Sequence, residues 1–170
     1  YSKCSACGAC WNSCPQQAIS VEKDGLFYQP KVDEIKCTEC GMCLKVCPVN
    51  KPVDTHRPII AYGGAHKDET VVKTSSSGGA FAALSKVILD KGGVVFGACY
   101  DEHFYEVKFG NTDELGLERL MKSKYVESFT GMTFRHIKKE LKSGRYVLFC
   151  GAPCQVAGLK RYLKEDFENL

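Results

Sequence analysis

The feature that most narrows what this chain can fold into is a cysteine run that occurs twice. Cys4-x-x-Cys7-x-x-Cys10-x-x-x-Cys14-Pro15 returns as Cys37-x-x-Cys40-x-x-Cys43-x-x-x-Cys47-Pro48, offset by 33 residues, and the two copies hold eight of the eleven cysteines. A cubane presents four irons. A short loop with a cysteine at every third position wraps three of them, and the fourth ligand must come from elsewhere. With this spacing in bacterial proteins, the fourth cysteine of each run crosses to the other cluster. The expected sets are Cys4, Cys7, Cys10 and Cys47 on one 4Fe–4S cluster, and Cys14, Cys37, Cys40 and Cys43 on the second.

The proline after each crossing cysteine removes a backbone donor and turns the chain away from the ligand. Gly8 and Gly41 each follow the second cysteine of a run, where a Cβ is expected to crowd inorganic sulfide. Zinc knuckles use Cys-x-x-Cys pairs or Cys with His, so a triple run supplies one ligand too many. Disulfides do not easily join thiols this close in tight loops.

A length of 170 residues with 44% hydrophobic content allows one compact domain plus a small one, with a soluble globular composition. The net charge of +3 is small and its basic residues are scattered, which gives no support to nucleic-acid binding. No apolar run approaches the roughly 18 residues of a membrane span, and no signal peptide opens the chain. Numerous thiols fit a reducing cytoplasm. The chain starts at Tyr1 without methionine and stops soon after an apparent helix, so it reads as a piece of a longer protein.

The expected order is an α+β two-cluster ferredoxin-like module over 1–50, a linker over 51–58 (KPVDTHRP), and an α/β open-sheet domain over 59–170, incomplete at its C-terminus. Within the first module, Ala18 to Val21 and Leu26 to Pro30 read as strands around Lys23-Asp24-Gly25, and Trp11 reads as packing that keeps water from a cluster. In the second, Ile59 to Ala65 reads as a buried strand and Lys67 to Lys73 as a short helix. A helix opens at Ser75–Gly79, with Ser77 or a neighbouring serine as N-cap, an inward face of Phe81, Leu84, Val87 and Ile88, and a stop at Gly92-Gly93. Val94 to Tyr100 reads as a strand paired with Phe104 to Gly110, and Asp113 to Lys122 as a helix. Thr133 to Ser143 reads as a helix with Phe134, Ile137 and Leu141 inward. Tyr146 to Cys150 is an expected strand, and Cys154 to Leu163 an expected helix with Pro153 in its first turn.

Three stretches of the second domain carry possible chemistry. Ser75–Gly79 puts hydroxyls and two glycines at a helix N-terminus, an anion-binding arrangement whose plainer alternative is an ordinary serine cap. Cys154, at the start of the last helix and four residues after Cys150, reads as a ligand, a redox thiol or a small buried residue. Lys122-Ser123-Lys124-Tyr125 sets two cations beside a hydroxyl and a phenol, with solvated lysines as the alternative. Cys99 reads as core. His56, His66, His103 and His136 have no metal spacing.

Together, SSSGGAFAAL, KGGVVFGACYD, KSKYVES and LFCGAPCQVAGLKRYL are similar to the β subunit of coenzyme F420-reducing hydrogenase and dehydrogenase, a flavoprotein family. The similarity covers 59–170 and corresponds to that family's amino-terminal part; several members carry a fused two-cluster ferredoxin at the front. The resemblance implies FAD as the switch between two-electron and one-electron chemistry, and coenzyme F420 or another small-molecule hydride donor or acceptor as substrate. It places Ser76, Ser77, Gly78, Gly79, Lys122, Ser123, Lys124 and Tyr125 beside the flavin or its substrate, and Gly151, Pro153, Cys154 and Gln155 in the same cleft. In some members cysteines of this domain bind a further cluster.

Two functions compete on this reading: an iron–sulfur flavoprotein oxidoreductase working with a redox partner protein or subunit, and a non-catalytic ferredoxin-type electron-transfer module whose second domain docks a partner. Both require two clusters. Anaerobically prepared protein is expected to hold about eight iron and eight acid-labile sulfide per chain; a stoichiometry near four, or bound zinc, would refute the assignment.

Overall fold

The computed structural model describes residues 3–53, 58–103 and 105–170. Residues 54–57 of the expected linker, with His56, and the expected strand residue Phe104 lie outside the described residues. The elements run α1 (Ala9–Ser13), β1 (Ile19–Asp24), β2 (Phe27–Val32), α2 (Met42–Lys45), α3 (Glu69–Thr74), α4 (Ala80–Asp90), β3 (Val94–Tyr100), β4 (Val107–Asn111), α5 (Thr112–Leu115), α6 (Leu117–Leu120), β5 (Ser128–Phe129), α7 (Thr133–Lys142), β6 (Val147–Phe149) and α8 (Pro153–Leu163).

The first part is a ferredoxin-type unit in which the sequence repeat becomes a structural one. α1 and α2 start at equivalent places, and each is capped by a left-handed glycine, Gly8 at φ 96° and Gly41 at φ 68°. The residue before the second cysteine of each run, Ala6 or Glu39, is also left-handed, at φ 47° and 52°. Between the runs, β1 and β2 form an antiparallel hairpin in which Asp24 faces Phe27 across the turn at Gly25.

The second part is a mixed α/β unit with a four-stranded open sheet in the order β5-β4-β3-β6. β3 runs antiparallel to β4 and parallel to β6, while β4 and β5 pair in parallel. β3 is buried along most of its length, as its unbroken apolar run requires.

The two parts share one core. Cys7, Ala9 and Val46 of the cysteine-rich unit pack in the same cluster as Val94, Phe96, Phe134, Ile137, Leu141, Val147, Leu159 and Leu163. Trp11 packs with Tyr28 and, across the boundary, with Phe129. Its indole Nε1 donates to the Gly131 carbonyl at 2.9 Å, and Asn12 Nδ2 donates to the same oxygen at 2.8 Å. The Tyr28 amide donates to Glu127 Oε2 at 2.7 Å.

Several expected elements differ. Residues 59–65 form no strand: Ile59, Ile60 and Tyr62 are exposed, and the sheet contains no partner for them among the described residues. The expected helix over 113–122 is broken into α5 and α6 by Gly116, at φ 74° and ψ 164°. α4 is capped by Gly79 at φ 83° with no side-chain hydrogen bond, rather than by a serine. Its buried face centres on Ser85, flanked by Phe81, Ile88 and Leu89, while Leu84 and Val87 lie outward. In an alanine-rich helix the apolar residues were too evenly spread for their spacing alone to orient it.

The two repeat glycines differ from each other in their protein surroundings. A Cβ at Gly8 would collide with Thr130 Oγ1, whereas one at Gly41 meets open space. The protein itself demands only left-handed backbone at Gly41, so Gly41→Ala is expected to destabilise the fold by about 1–2 kcal/mol. Gly8→Ala adds a collision in the shared core and is expected to cost more in anaerobic urea unfolding. Equal losses would contradict this asymmetry.

Candidate functional site

Cys7 is nearly buried in the shared core, and α8 approaches so closely that a Cβ on Gly158 would lie 2.9 Å from its Sγ. Burial pushes the Cys7 thiol up, and its neighbours Cys47, Cys154 and Cys4 push the same way, against the Ala9 amide that stabilises the thiolate. Cys10 is pushed up to about 12, first by burial and then by Cys7 and Cys4. Thus Cys7 stands within electrostatic reach of Cys4, Cys10, Cys47 and Cys154.

Two thiols, Cys7 and Cys10, that burial and neighbouring thiols keep protonated suit a site where iron supplies the offsetting positive charge. Backbone amides aim at two of the sulfurs: Ala6 N donates to Cys4 Sγ at 3.5 Å and Ala18 N to Cys14 Sγ at 3.3 Å. Hydrogen bonds of this kind are among the settings of cluster potential. α1, whose C-cap is Cys14, packs against α2, which carries Cys43. Cys37 and Cys43 are half-buried and Cys40 is exposed. No three His, Cys, Asp or Glu side chains among the described residues are grouped to hold a single metal ion; the ligands of a cubane, each on its own iron, stand further apart.

Beside the first run lies a cavity of about 580 Å³. It brings together three stretches far apart in sequence: Ser76, Ser77, Gly78 and Gly79; Lys122, Ser123 and Lys124; and Gly151, Cys154 and Gln155. Ser5, between Cys4 and Cys7, lines the same space. Of the twelve residues singled out from sequence, Tyr125 and Pro153 do not line it, and Tyr125 points to solvent at 91% exposure.

Several of these side chains also hold the walls. Ser76 Oγ accepts from the Ser123 amide at 2.6 Å, tying two of the stretches together. Lys124 Nζ donates to the carbonyls of Leu120 at 3.0 Å and Met121 at 2.6 Å, capping α6, and burial pushes its ammonium down while Cys99 and Cys150 oppose that shift. Gln155 Oε1 accepts from the Ala152 amide at 2.8 Å, and its Nε2 donates to Ser128 Oγ at 2.9 Å, joining the start of α8 to β5. A Cβ at Gly78 would strike the Gly64 carbonyl, so this glycine is needed for the neighbouring loop, whose His66 amide donates to Gly78 O at 2.7 Å.

Sequence reasoning missed Ser5, Phe81, Gly97, Phe109 and Glu127 as lining residues and placed Cys150 only at the end of a strand. The one available signal was Gly97, a glycine inside the strand VVFGACY, which often marks a close approach to backbone. Cys99, in the same strand, is fully buried.

Residues 3–51 match the 4Fe-4S dicluster domain family, which identifies this segment as an iron–sulfur electron-transfer unit. No curated protein matches the chain. No helix among the described residues is long and apolar enough to cross a membrane.

The tie between α8 and β5 is testable. Gln155→Leu leaves the Ala152 amide and Ser128 without their partner and is expected to cost about 1–3 kcal/mol in unfolding. No loss of stability would show that Gln155 is not needed to hold the wall.

Proposed function

We propose that the chain is part of an iron–sulfur flavoprotein oxidoreductase, in which the cavity seats a flavin and the two cysteine runs hold 4Fe–4S clusters with the crossed ligand sets given above. The observation that carries this reading is the cavity itself. Its walls combine the serine–glycine turn, the Lys122–Lys124 segment and the start of α8 with Ser5 from the first cysteine run. Its volume, about 580 Å³, falls in the range of cofactor pockets.

Ala80, which opens α4, and Ala152 and Cys154, on either side of the first residue of α8, line this space, so two helix N-termini face it, and such ends favour a pyrophosphate. Gly79 caps α4 without a side-chain acceptor, which leaves the amides of the first turn to a ligand. Lys122 adds a cation on the same wall. When bound, a flavin supplies the exchange between hydride and single electrons. Cys154 lines the cavity and stands beside Cys7, so the cofactor space and the first cluster site share a wall. The partners implied are coenzyme F420 or another small-molecule hydride donor or acceptor, and a redox protein or subunit.

Flavin content separates this reading from an electron-transfer module that only docks a partner. Anaerobically prepared protein, in its longest natural form, is expected to retain FAD. Ser77→Asp sets a carboxylate against the bound pyrophosphate and is expected to weaken FAD retention at least tenfold with iron content unchanged. Protein that carries eight iron but never takes up flavin would overturn the flavoprotein reading and leave the docking module.

A further inference from the structure

Two arginines of the α/β part reach into the cysteine-rich unit. From α7, Arg135 Nε donates to the Asn12 carbonyl at 2.8 Å and its terminal nitrogen to the Cys14 carbonyl at 2.6 Å. From α8, Arg161 donates to the Lys45 carbonyl at 3.1 Å. Asn12 and Lys45 are separated by 33 residues, the interval of the cysteine repeat. The two guanidinium groups therefore stand on equivalent carbonyls, each two residues ahead of a crossing cysteine, Cys14 or Cys47.

This matching does not follow from the duplication, because the arginines belong to two different helices outside the repeat. Both carbonyls lie at the last turn of a short helix, α1 or α2, where backbone oxygens lack intrahelical partners and attract cations. Among the described residues neither arginine has a carboxylate within ion-pair distance, in contrast to Arg145, which pairs with Asp113 and Glu140. Arg161 Nε is buried and makes no hydrogen bond. A partly buried, uncompensated cation acts over a longer range than a solvated one.

We propose that Arg135 and Arg161 are positioning residues that fix the two crossing cysteines and set the two cluster potentials separately. Arg135 acts through Cys14 on the cluster of Cys37, Cys40 and Cys43, and Arg161 through Cys47 on the cluster of Cys4, Cys7 and Cys10. The proposal rests on the reading of the runs as two crossed 4Fe–4S sites. Reduction adds one electron to a cluster, and nearby positive charge favours the reduced form. Each arginine thus raises the potential of the cluster whose remote ligand it holds. Arg135 makes two such bonds and Arg161 one, so the effect of Arg135 is the larger.

The test is an anaerobic redox titration of the full chain followed by electron paramagnetic resonance, with the two signals assigned by Cys4→Ser and Cys40→Ser. Arg135→Gln is expected to make reduction of its own cluster about tenfold less favourable, ~59 mV for a one-electron couple, and to move the other less than half as far. Arg161→Gln is expected to give the mirror pattern with a smaller shift, and lysine at either position to restore at least half of it. A purely structural role would lower iron content or the melting temperature and move both potentials alike or neither. Should a glutamine variant fail to retain its clusters, the lysine variant decides, since a smaller shift confined to the assigned cluster is still expected. Two clusters with unmoved or equally moved potentials overturn this proposal alone. Fewer than two cluster signals in the parent protein overturn the cluster reading along with it.

Discussion

One backbone oxygen holds much of this molecule together. The Gly131 carbonyl, in the turn before α7, accepts from both Trp11 and Asn12 of α1. Around that point the aromatic rings of Trp11, Tyr28 and Phe129 gather, while Phe134 sits fully buried a few residues further on. A carbonyl that receives two buried donors leaves little freedom to either chain segment, because a shift that lengthened one bond would strand a polar group out of water. The first cysteine run therefore takes its place as part of the α/β core. The cavity depends on this seating, since Ser5 and Cys154 share a wall only while α1 stays against α7 and α8.

The cysteine-rich unit was the part of the fold most legible in sequence. Its repeat, hairpin and turn are local patterns, and β1 and β2 depend on near neighbours, whereas the short helices α1 and α2 were not read. β3, α7 and α8 were legible for a similar reason: long apolar runs or strong amphipathic spacing leave one solution. Residues 59–65 show where this fails. Their apolar content suits a strand, but strand formation needs an edge to pair with, and only the assembled sheet decides which segments receive one. Gly116 failed in the other direction, since one left-out residue splits a helix that composition alone would continue.

For the site, chemistry was legible and neighbourhood was not. The serine–glycine turn, the lysine segment and the start of α8 each carried a polar signature, and the resemblance grouped them. That they share a cavity with Ser5 required tertiary packing. The roles within the wall were hidden as well. Lys124 and Gln155 spend their polar atoms on carbonyls, amides and a hydroxyl of the protein itself, and Gly78 is small because Gly64 lies against it. Sequence spacing marks which residues are unusual; whether the reason is a ligand or a neighbouring loop is a property of the folded surface.

The unequal surroundings of Gly8 and Gly41 bear on how a duplicated unit diverges. Two copies that begin alike have the same tolerance for change, and that equality ends once a host domain covers one of them. Gly8 answers both to its own backbone and to Thr130, while no other part of the protein crowds Gly41. The covered copy has become a fixed component of a larger core. The second copy is held at its far end, where Val46 enters the shared core and Arg161 reaches the Lys45 carbonyl, but its loop at Gly41 keeps the latitude of a surface, and new specificity has room to arise there.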